Sequence, residues 1–214
     1  MTTSSIFDRR LEQVTAGRHL TAPELAEIAA APDILSLGML ADVVRRRIHG
    51  TQITYLRVAE CACDQLDVDA IPASAREVRI VGVPASLDAA TGAVERARTA
   101  SGGRAVSGFS WGDVDRVAAA AGLPVSRALA MLHSVGLEAL VNVPLDAIGD
   151  PERVVNCLME AGFQRLRFTI DKAPASDRQA LFQQASALQE QYGSIQTINP
   201  LPTVLHAVRP TTGY

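Results

Sequence analysis

Cys61 and Cys63, two positions apart and followed at once by Asp64, are the closest this chain comes to a metal or nucleophile pattern. On an extended segment, side chains at i and i+2 share a face, so both thiols could touch one ion. A closed zinc site wants four ligands, and Asp64 is the only other donor nearby. Against the metal reading stands a plainer one, in which both are small apolar residues packed away from water. The third cysteine, Cys157, falls in an expected helix. Three cysteines do not make a disulfide framework, and two so close together do not bridge comfortably, so reduced thiols are expected.

The other candidate residues are those that a parallel α/β fold collects just beyond the C-terminal ends of its strands, where such folds place their chemistry. They are Asp64, Gly82 and Pro84, Ser107 and Ser110, Asn142 and Asp146, Asp171 and Lys172, and Asn199. Gly82, Asn142 and Asn199, with Asp64, Asp171 and Lys172, form the candidate ligand-binding set. Asp171 and Lys172, adjacent and opposite in charge, suit an anionic ligand or a solvated loop pair. No histidine joins them: His19, His49, His133 and His206 fall in the N-terminal segment, in a helix and in the tail. A Ser/His/Asp or Cys/His arrangement therefore cannot be assembled at the strand ends. No GxGxxG or GxxxxGK[ST] loop follows a strand, and Ser101–Gly103 reads as a turn.

Alternating strand and helix signals must position these residues. β-branched and apolar runs give strands over Ile53–Val58, Glu77–Val81, Arg104–Phe109, Ala139–Val143, Arg165–Ile170 and Ser194–Ile198. Helical periodicity gives Ser86–Thr99, Trp111–Ala121, Pro124–Val135, Pro151–Ala161 and Ser176–Gln191. Gly122, Gly136, Gly162 and Gly193 follow helical runs where a left-handed cap belongs, and Asp150 before Pro151 is an N-cap. Residues 1–50 read as a helical segment. Thr21 and Glu24 form a capping box, and Leu37, Leu40, Ala41, Val44 and Ile48 line one face of a helix that ends in Arg45, Arg46 and Arg47 before Gly50. The expected architecture is α/β: a partial (β/α) barrel or open parallel sheet of about six strands over 51–214, behind an N-terminal helical segment at 1–50.

With 214 residues, 48% hydrophobic and 20% charged, the chain suits one good globular core. A net charge of −3 and a pI near 5.8 argue against nucleic acid, because neutralising phosphates needs a basic face and only the arginine triplet clusters. That triplet reads as a solvated helix end. Lys172 is the only lysine among the 20 basic residues. No apolar run approaches the ~20 residues that span a bilayer, and MTTSSIFDRRLEQ has no signal-like apolar core, so the expected setting is cytoplasmic.

Several stretches resemble one enzyme family in order along the chain. LGMLADVVRRRIHGTQITYL is similar to the approach to the first barrel strand in the radical S-adenosylmethionine enzymes of the futalosine route to menaquinone. These are aminofutalosine synthase and cyclic dehypoxanthinyl futalosine synthase, with FO synthase of deazaflavin biosynthesis as their relative. AGRHLTAPELAEI resembles the family's N-terminal helices, and WGDVDRVAAAAGLPVSRALAMLHSVGLEAL its mid-barrel helix pair. ALQEQYGSIQTINPLP is similar to the passage that the family writes LQDETGGFxxFIPL.

The resemblance implies a CxxxCxxC after the first strand, three thiolates that leave one iron of a [4Fe–4S] cluster open to S-adenosylmethionine. Here that place reads AECACDQLDVDAIPAS, with two cysteines only. The family's GGGAE would fall at Leu140–Ala147, which reads LVNVPLDA, and its GHxExPxxR would align with IDKAPASDR, keeping only Pro174 and Arg178. Cluster and S-adenosylmethionine are thus expected to be lost, and no cofactor is expected. Relatives continue beyond HAVRPTTGY, which implies an exposed sheet edge and association, as a homo-oligomer or a hetero-oligomer with a radical S-adenosylmethionine relative. A pseudoenzyme acting through such a partner, or through a small metabolite, is the expected function. The alternative is a cluster-free enzyme using Asp64, Asp146 or Asp171 as acid or base.

Overall fold

In a computed structural model of the chain, the described residues are 3–52, 55–65, 71–192 and 196–197, and they fall into two units, Met1–Tyr55 and Leu56–Tyr214. The first unit holds helices α1 (Thr3–Thr15), α2 (Ala22–Ala29) and α3 (Ile34–His49). Helix α3 starts where the Asp33 carboxylate accepts the Ser36 N–H at 3.1 Å, and it stops at Gly50, whose φ of +62° ends the helical path. Phe7, Val14, Ile28 and Leu40 form its small core.

Of the apolar stripe expected on α3, only Leu40 is buried, while Leu37, Val44 and Ile48 remain exposed, Ile48 by 67%. Polar contacts carry more of this unit than the apolar pattern suggests. Arg10, buried on α1, pairs with Glu24 and Glu27 of α2 and donates to Gln13 at 2.9 Å. Glu24 also accepts the backbone N–H of Thr21 at 2.8 Å and its hydroxyl at 3.0 Å, which is the glutamate half of a capping box. The Thr21 N–H, then Gln13 and the Thr21 hydroxyl, with Arg10 adding charge, hold the Glu24 carboxyl down at about 2.

The second unit holds β1 (Val58–Ala62), β2 (Glu77–Val81), α4 (Leu87–Ala100), β3 (Ala105–Ser110), α5 (Trp111–Ala120), α6 (Val125–Ser134), β4 (Ala139–Pro144), a 3-10 turn (Leu145–Ala147), α7 (Pro151–Glu160), β5 (Arg165–Thr169), α8 (Ala175–Gln191) and the two-residue β6 (Gln196–Thr197). All strands run parallel in the order β1-β2-β3-β4-β5-β6, so the described strands make an open sheet with β1 and β6 at its edges. The expected α/β architecture is present.

The first strand departs from expectation. It is Val58–Ala62, not Ile53–Val58: Tyr55 to Arg57 are not in a strand, with Tyr55 83% and Leu56 55% exposed, and Ile53 and Thr54 lie outside the described residues. The TQITYL run has the stronger β-propensity, but AECA has the partner, because Ala59 and Cys61 sit opposite Val78 and Ile80 of β2. Propensity gave way to burial.

A parallel sheet wound in sequence order with right-handed crossovers keeps its helices on one face. One apolar cluster bears this out, joining Val78, Ile80, Val106, Leu140, Leu166 and Phe168 of the sheet to Val94, Val114, Leu129, Leu158 and Leu188 of all five helices. Gly136 and Gly162, with φ of +110° and +96°, end α6 and α7, and Leu137 and Phe163 bond back to Leu132 and Leu158 at 3.0 Å. Asp150 caps α7 by accepting the Arg153 N–H at 3.0 Å.

Two predictions follow from these contacts. At Gly108, paired with Ile80, an added Cβ would lie 2.9 Å from the Ile80 Cβ and 3.3 Å from its carbonyl oxygen. Gly108→Ala is therefore expected to destabilise the protein by about 1–3 kcal/mol in urea unfolding, through overpacking between β2 and β3. In the first unit the Glu24 carboxyl ionises at about 2 rather than at 4.5. Its contribution is then fully present above pH 4.5 and is lost as pH falls through about 2. The Thr21 amide proton should report this in an NMR titration with a midpoint near the lower value, and a midpoint at the ordinary value would contradict the geometry.

Candidate functional site

The two faces of the sheet differ in chemistry. Residues that alternate with the core positions point away from the helices: Glu60 on β1, Glu77 and Arg79 on β2, Ser107 on β3, Arg167 and Thr169 on β5. Here β2 supplies charge where barrels of this general kind place branched apolar residues. Glu77 Oε1 accepts Arg79 Nη2 at 2.8 Å and Nε at 3.2 Å, and the Ser107 hydroxyl at 2.5 Å. Burial, and next the Arg79 guanidinium, draw the Arg167 pKa below its ordinary value against the attraction of Glu77 and Asp171.

Both central strands are distorted at one level. On β4, Leu140 pairs with Leu166 and Val143 with Phe168, so Val141 and Asn142 together face the single residue Arg167 in a bulge. On β3, buried Phe109 has φ of +56°, uncommon for a bulky side chain, between the pairs Gly108–Leu140 and Ser110–Asn142. The bulge brings Asn142 to Thr169, whose hydroxyl donates to its Oδ1, while Asn142 Nδ2 donates to Asp171 Oδ2 at 3.1 Å.

Of the candidates read from the sequence, Asn142, Asp146, Asp171 and Lys172 are brought together, and Asp146 organises them. Its carboxylate accepts the backbone N–H groups of Asp171, Lys172 and Ala173 at 3.1, 2.5 and 2.8 Å, clamping the β5–α8 connection. Partial burial opposes its charge, but the N–H groups of Lys172, Asp171 and Ala173 outweigh that and hold its pKa below the ordinary value. Asp64 is exposed beyond β1, and exposed Gly82 lies against Cys63, with room for a Cβ 3.4 Å from the Cys63 Sγ but a φ of +99°. Ser110 caps α5 by accepting the Asp113 N–H at 3.0 Å. Asn199 lies outside the described residues.

Cys61 is within β1 rather than beyond it, and it is buried in the helix-side cluster with Cys63 packed against the same cluster. Cys157, on α7, also packs there. The spacing argument correctly gave them one face, and that face is the apolar one. Among the described residues no three His, Cys, Asp or Glu side chains converge as a metal site.

Sequence reasoning missed two groups. Glu77, Arg79 and Arg167 were inside strands rather than after them. Their signal was the alternation EVRIV and RLRFT, since parallel strands covered on both faces read as continuous apolar runs. The second group is a set of arginines reaching from helices to strand-end loops. Arg96 of α4 donates to the Cys63 carbonyl at 3.1 Å, Arg116 of α5 to that of Pro84 at 2.6 Å, and Arg178 of α8 to that of Ala173 at 3.1 Å. Nothing in the spacing of Arg96 and Arg116 marks such long-range contacts, while that of Arg178 spans only five residues. A separate hollow of about 300 Å³, lined by His133, Glu138, Gly162 and Gln164, lies at the N-terminal end of β4 and β5, away from the loops just described.

No protein-family model matches this chain, and no curated protein matches it in sequence. Among the described residues no helix is long and apolar enough to cross a membrane.

Asp146 gives the site its prediction. Asp146→Ala should free the amides of Asp171, Lys172 and Ala173, speeding their hydrogen exchange and costing about 1–3 kcal/mol of stability. Asp146→Asn, which retains one acceptor oxygen, should fall between. Unchanged exchange at these three amides would show that the clamp does not hold the loop.

Proposed function

We propose that this protein is a cluster-free relative of the radical S-adenosylmethionine enzymes of the futalosine route, and that it acts by binding rather than by redox chemistry. Its working surface is the sheet face opposite α4–α8 together with the strand-end loops, used for a small metabolite or for association with an active relative or a second copy in the cytoplasm. The observation that carries this reading is the direction of the thiols. Cys61 is buried among the helix-side residues, and Cys63 and Cys157 pack against that same apolar cluster. A cluster of the family's type needs three thiolates converging on iron with one iron left open, and thiols spent as apolar packing do not offer that.

Fixed points at the strand ends support a binding role: Arg96, Arg116 and Arg178 hold the carbonyls of Cys63, Pro84 and Ala173, and Asp146 holds three successive N–H groups, which lowers the ordering cost of taking a ligand there. The alternative, a repurposed acid–base enzyme, draws less support. Asp146 is held below its ordinary pKa by three N–H donors, which makes it a weak base, and Asp171 is bound to Asn142.

Anaerobic reconstitution with iron and sulfide tests the reading. The expected result is no stoichiometric cluster and no 5′-deoxyadenosine from S-adenosylmethionine under reducing conditions. A brown protein with about four irons per chain, or 5′-deoxyadenosine above a no-protein control, would restore radical chemistry and remove the proposal.

A further inference from the structure

Helix α3 has two apolar faces, and the first unit uses one of them. Leu40 and Val43 join the small core, and on the same side Arg47 donates to the Val14 carbonyl at 3.1 Å. On the other side Ile34, Leu37, Ala41, Val44 and Ile48 are all exposed, Ile34 by 77%. They follow one another at three, four, three and four residues, the a/d spacing of a helix-to-helix seam. Single exposed apolar residues need no explanation, but a row that keeps this spacing from the first residue of the helix to Ile48 marks a contact face. Gly38 is a second observation, independent of the row. It stands inside α3, where glycine is destabilising relative to alanine, and nothing in the unit requires it: among the described residues an added Cβ would meet nothing within 4 Å. With Ala41 one turn on, it leaves the centre of the exposed face without bulk, so that another backbone can come close.

We propose that this face binds α3 of a second copy of the chain, antiparallel to it, with the two-fold axis at Ala41. The inference stands apart from the cluster-free reading, since it needs only α3. The face is its own complement, which a two-fold contact requires. Under that symmetry, residues equally far from Ala41 on either side meet. Val44 fills the gap left by Gly38 of the second copy, Ala41 meets Ala41 at the crossing, and Ile34 packs on Ile48. Helices diverge away from a close crossing, so larger side chains belong at the ends, where the gap widens. Leu37 meets the aliphatic stem of Arg45, whose guanidinium is held at 2.8 and 3.1 Å by Asp42 of its own helix. No like charges face each other across this seam. A parallel pairing would set Arg45 toward Arg45 and Gly38 toward Gly38, adding repulsion and a void. One pair of 16-residue helices lies at the small end of stable interfaces, so the dimer should form reversibly with concentration.

The test is sedimentation of the full chain over a concentration series, with thermal unfolding of the dilute chain beside it. The parent should show a reversible monomer–dimer equilibrium. Val44→Glu should weaken the dimer about tenfold or more, because it buries a charge in the seam. It should not lower the melting temperature of the dilute chain, where Val44 is exposed. Gly38→Leu should move the two readouts in opposite directions, raising the melting temperature through helix propensity and weakening the dimer by filling the space that Val44 takes. Ala41→Cys should give a covalent dimer under mild oxidation, because the axis brings the two copies of that position within disulfide reach. Leu35→Cys, exposed on another side of α3, and the parent with its three native thiols should not. A chain that stays monomeric overturns the proposal, and so does a dimer that Val44→Glu leaves unchanged, which would place the contact elsewhere. A lower melting temperature of dilute Val44→Glu overturns it too, by showing that the face is covered within one chain. Equal cross-linking of Ala41→Cys and Leu35→Cys overturns the placing of the axis.

Discussion

The second unit depends on a parallel sheet that keeps α4 to α8 on one side. With sequential strand order and right-handed crossovers, Val78, Ile80, Val106, Leu140, Leu166 and Phe168 supply most of the sheet side of the core, with Cys61, Phe109 and Val143. Residues between them face the other side of the sheet, where Glu77, Arg79, Ser107 and Arg167 occupy strand positions that apolar packing on both faces would fill with valine or isoleucine. Polar chemistry inside the strands and apolar cysteines beside them thus have one cause.

The same geometry explains the loops. At the C-terminal ends of the strands the backbone must turn back over the sheet toward the helix layer, which leaves carbonyl and N–H groups without ladder partners. Long side chains satisfy several of them: Arg96 reaches Cys63, Arg116 reaches Pro84, Arg178 reaches Ala173, and Asp146 takes three successive N–H groups. All but the Arg178 contact join elements distant in sequence. Strain is tolerated where this scaffold is firmest: the left-handed Phe109 lies between Gly108, locked against Ile80, and Ser110, locked into the α5 cap.

The N-terminal unit rests on a different balance. Its apolar core is small, and Arg10 bridging Glu24 and Glu27 ties α1 to α2 by charge and hydrogen bonds. A buried arginine between two carboxylates gives specificity of pairing more readily than raw stability. The stripe residues of α3 that stay exposed, Leu37, Val44 and Ile48, show that a periodic stripe marks what a helix can bury, not what it does bury.

The sequence by itself determined the alternation of strands and helices, the parallel order and most boundaries. Those signals are local: Asp150 with Pro151 opens α7, Gly136 and Gly162 close α6 and α7, and hydrophobic periods of two and about 3.6 separate strand from helix. It also gave Cys61 and Cys63 a shared face, because the pleat repeats every two residues. Only the tertiary structure decided which face that is, and it chose the apolar one. Tertiary structure likewise placed β1 at Val58–Ala62, past the expected Ile53–Val58, because Ala59 and Cys61 pair with Val78 and Ile80. It alone turned Asp146 from a candidate base into a loop clamp, since contacts across 25 residues of chain leave no mark on local spacing.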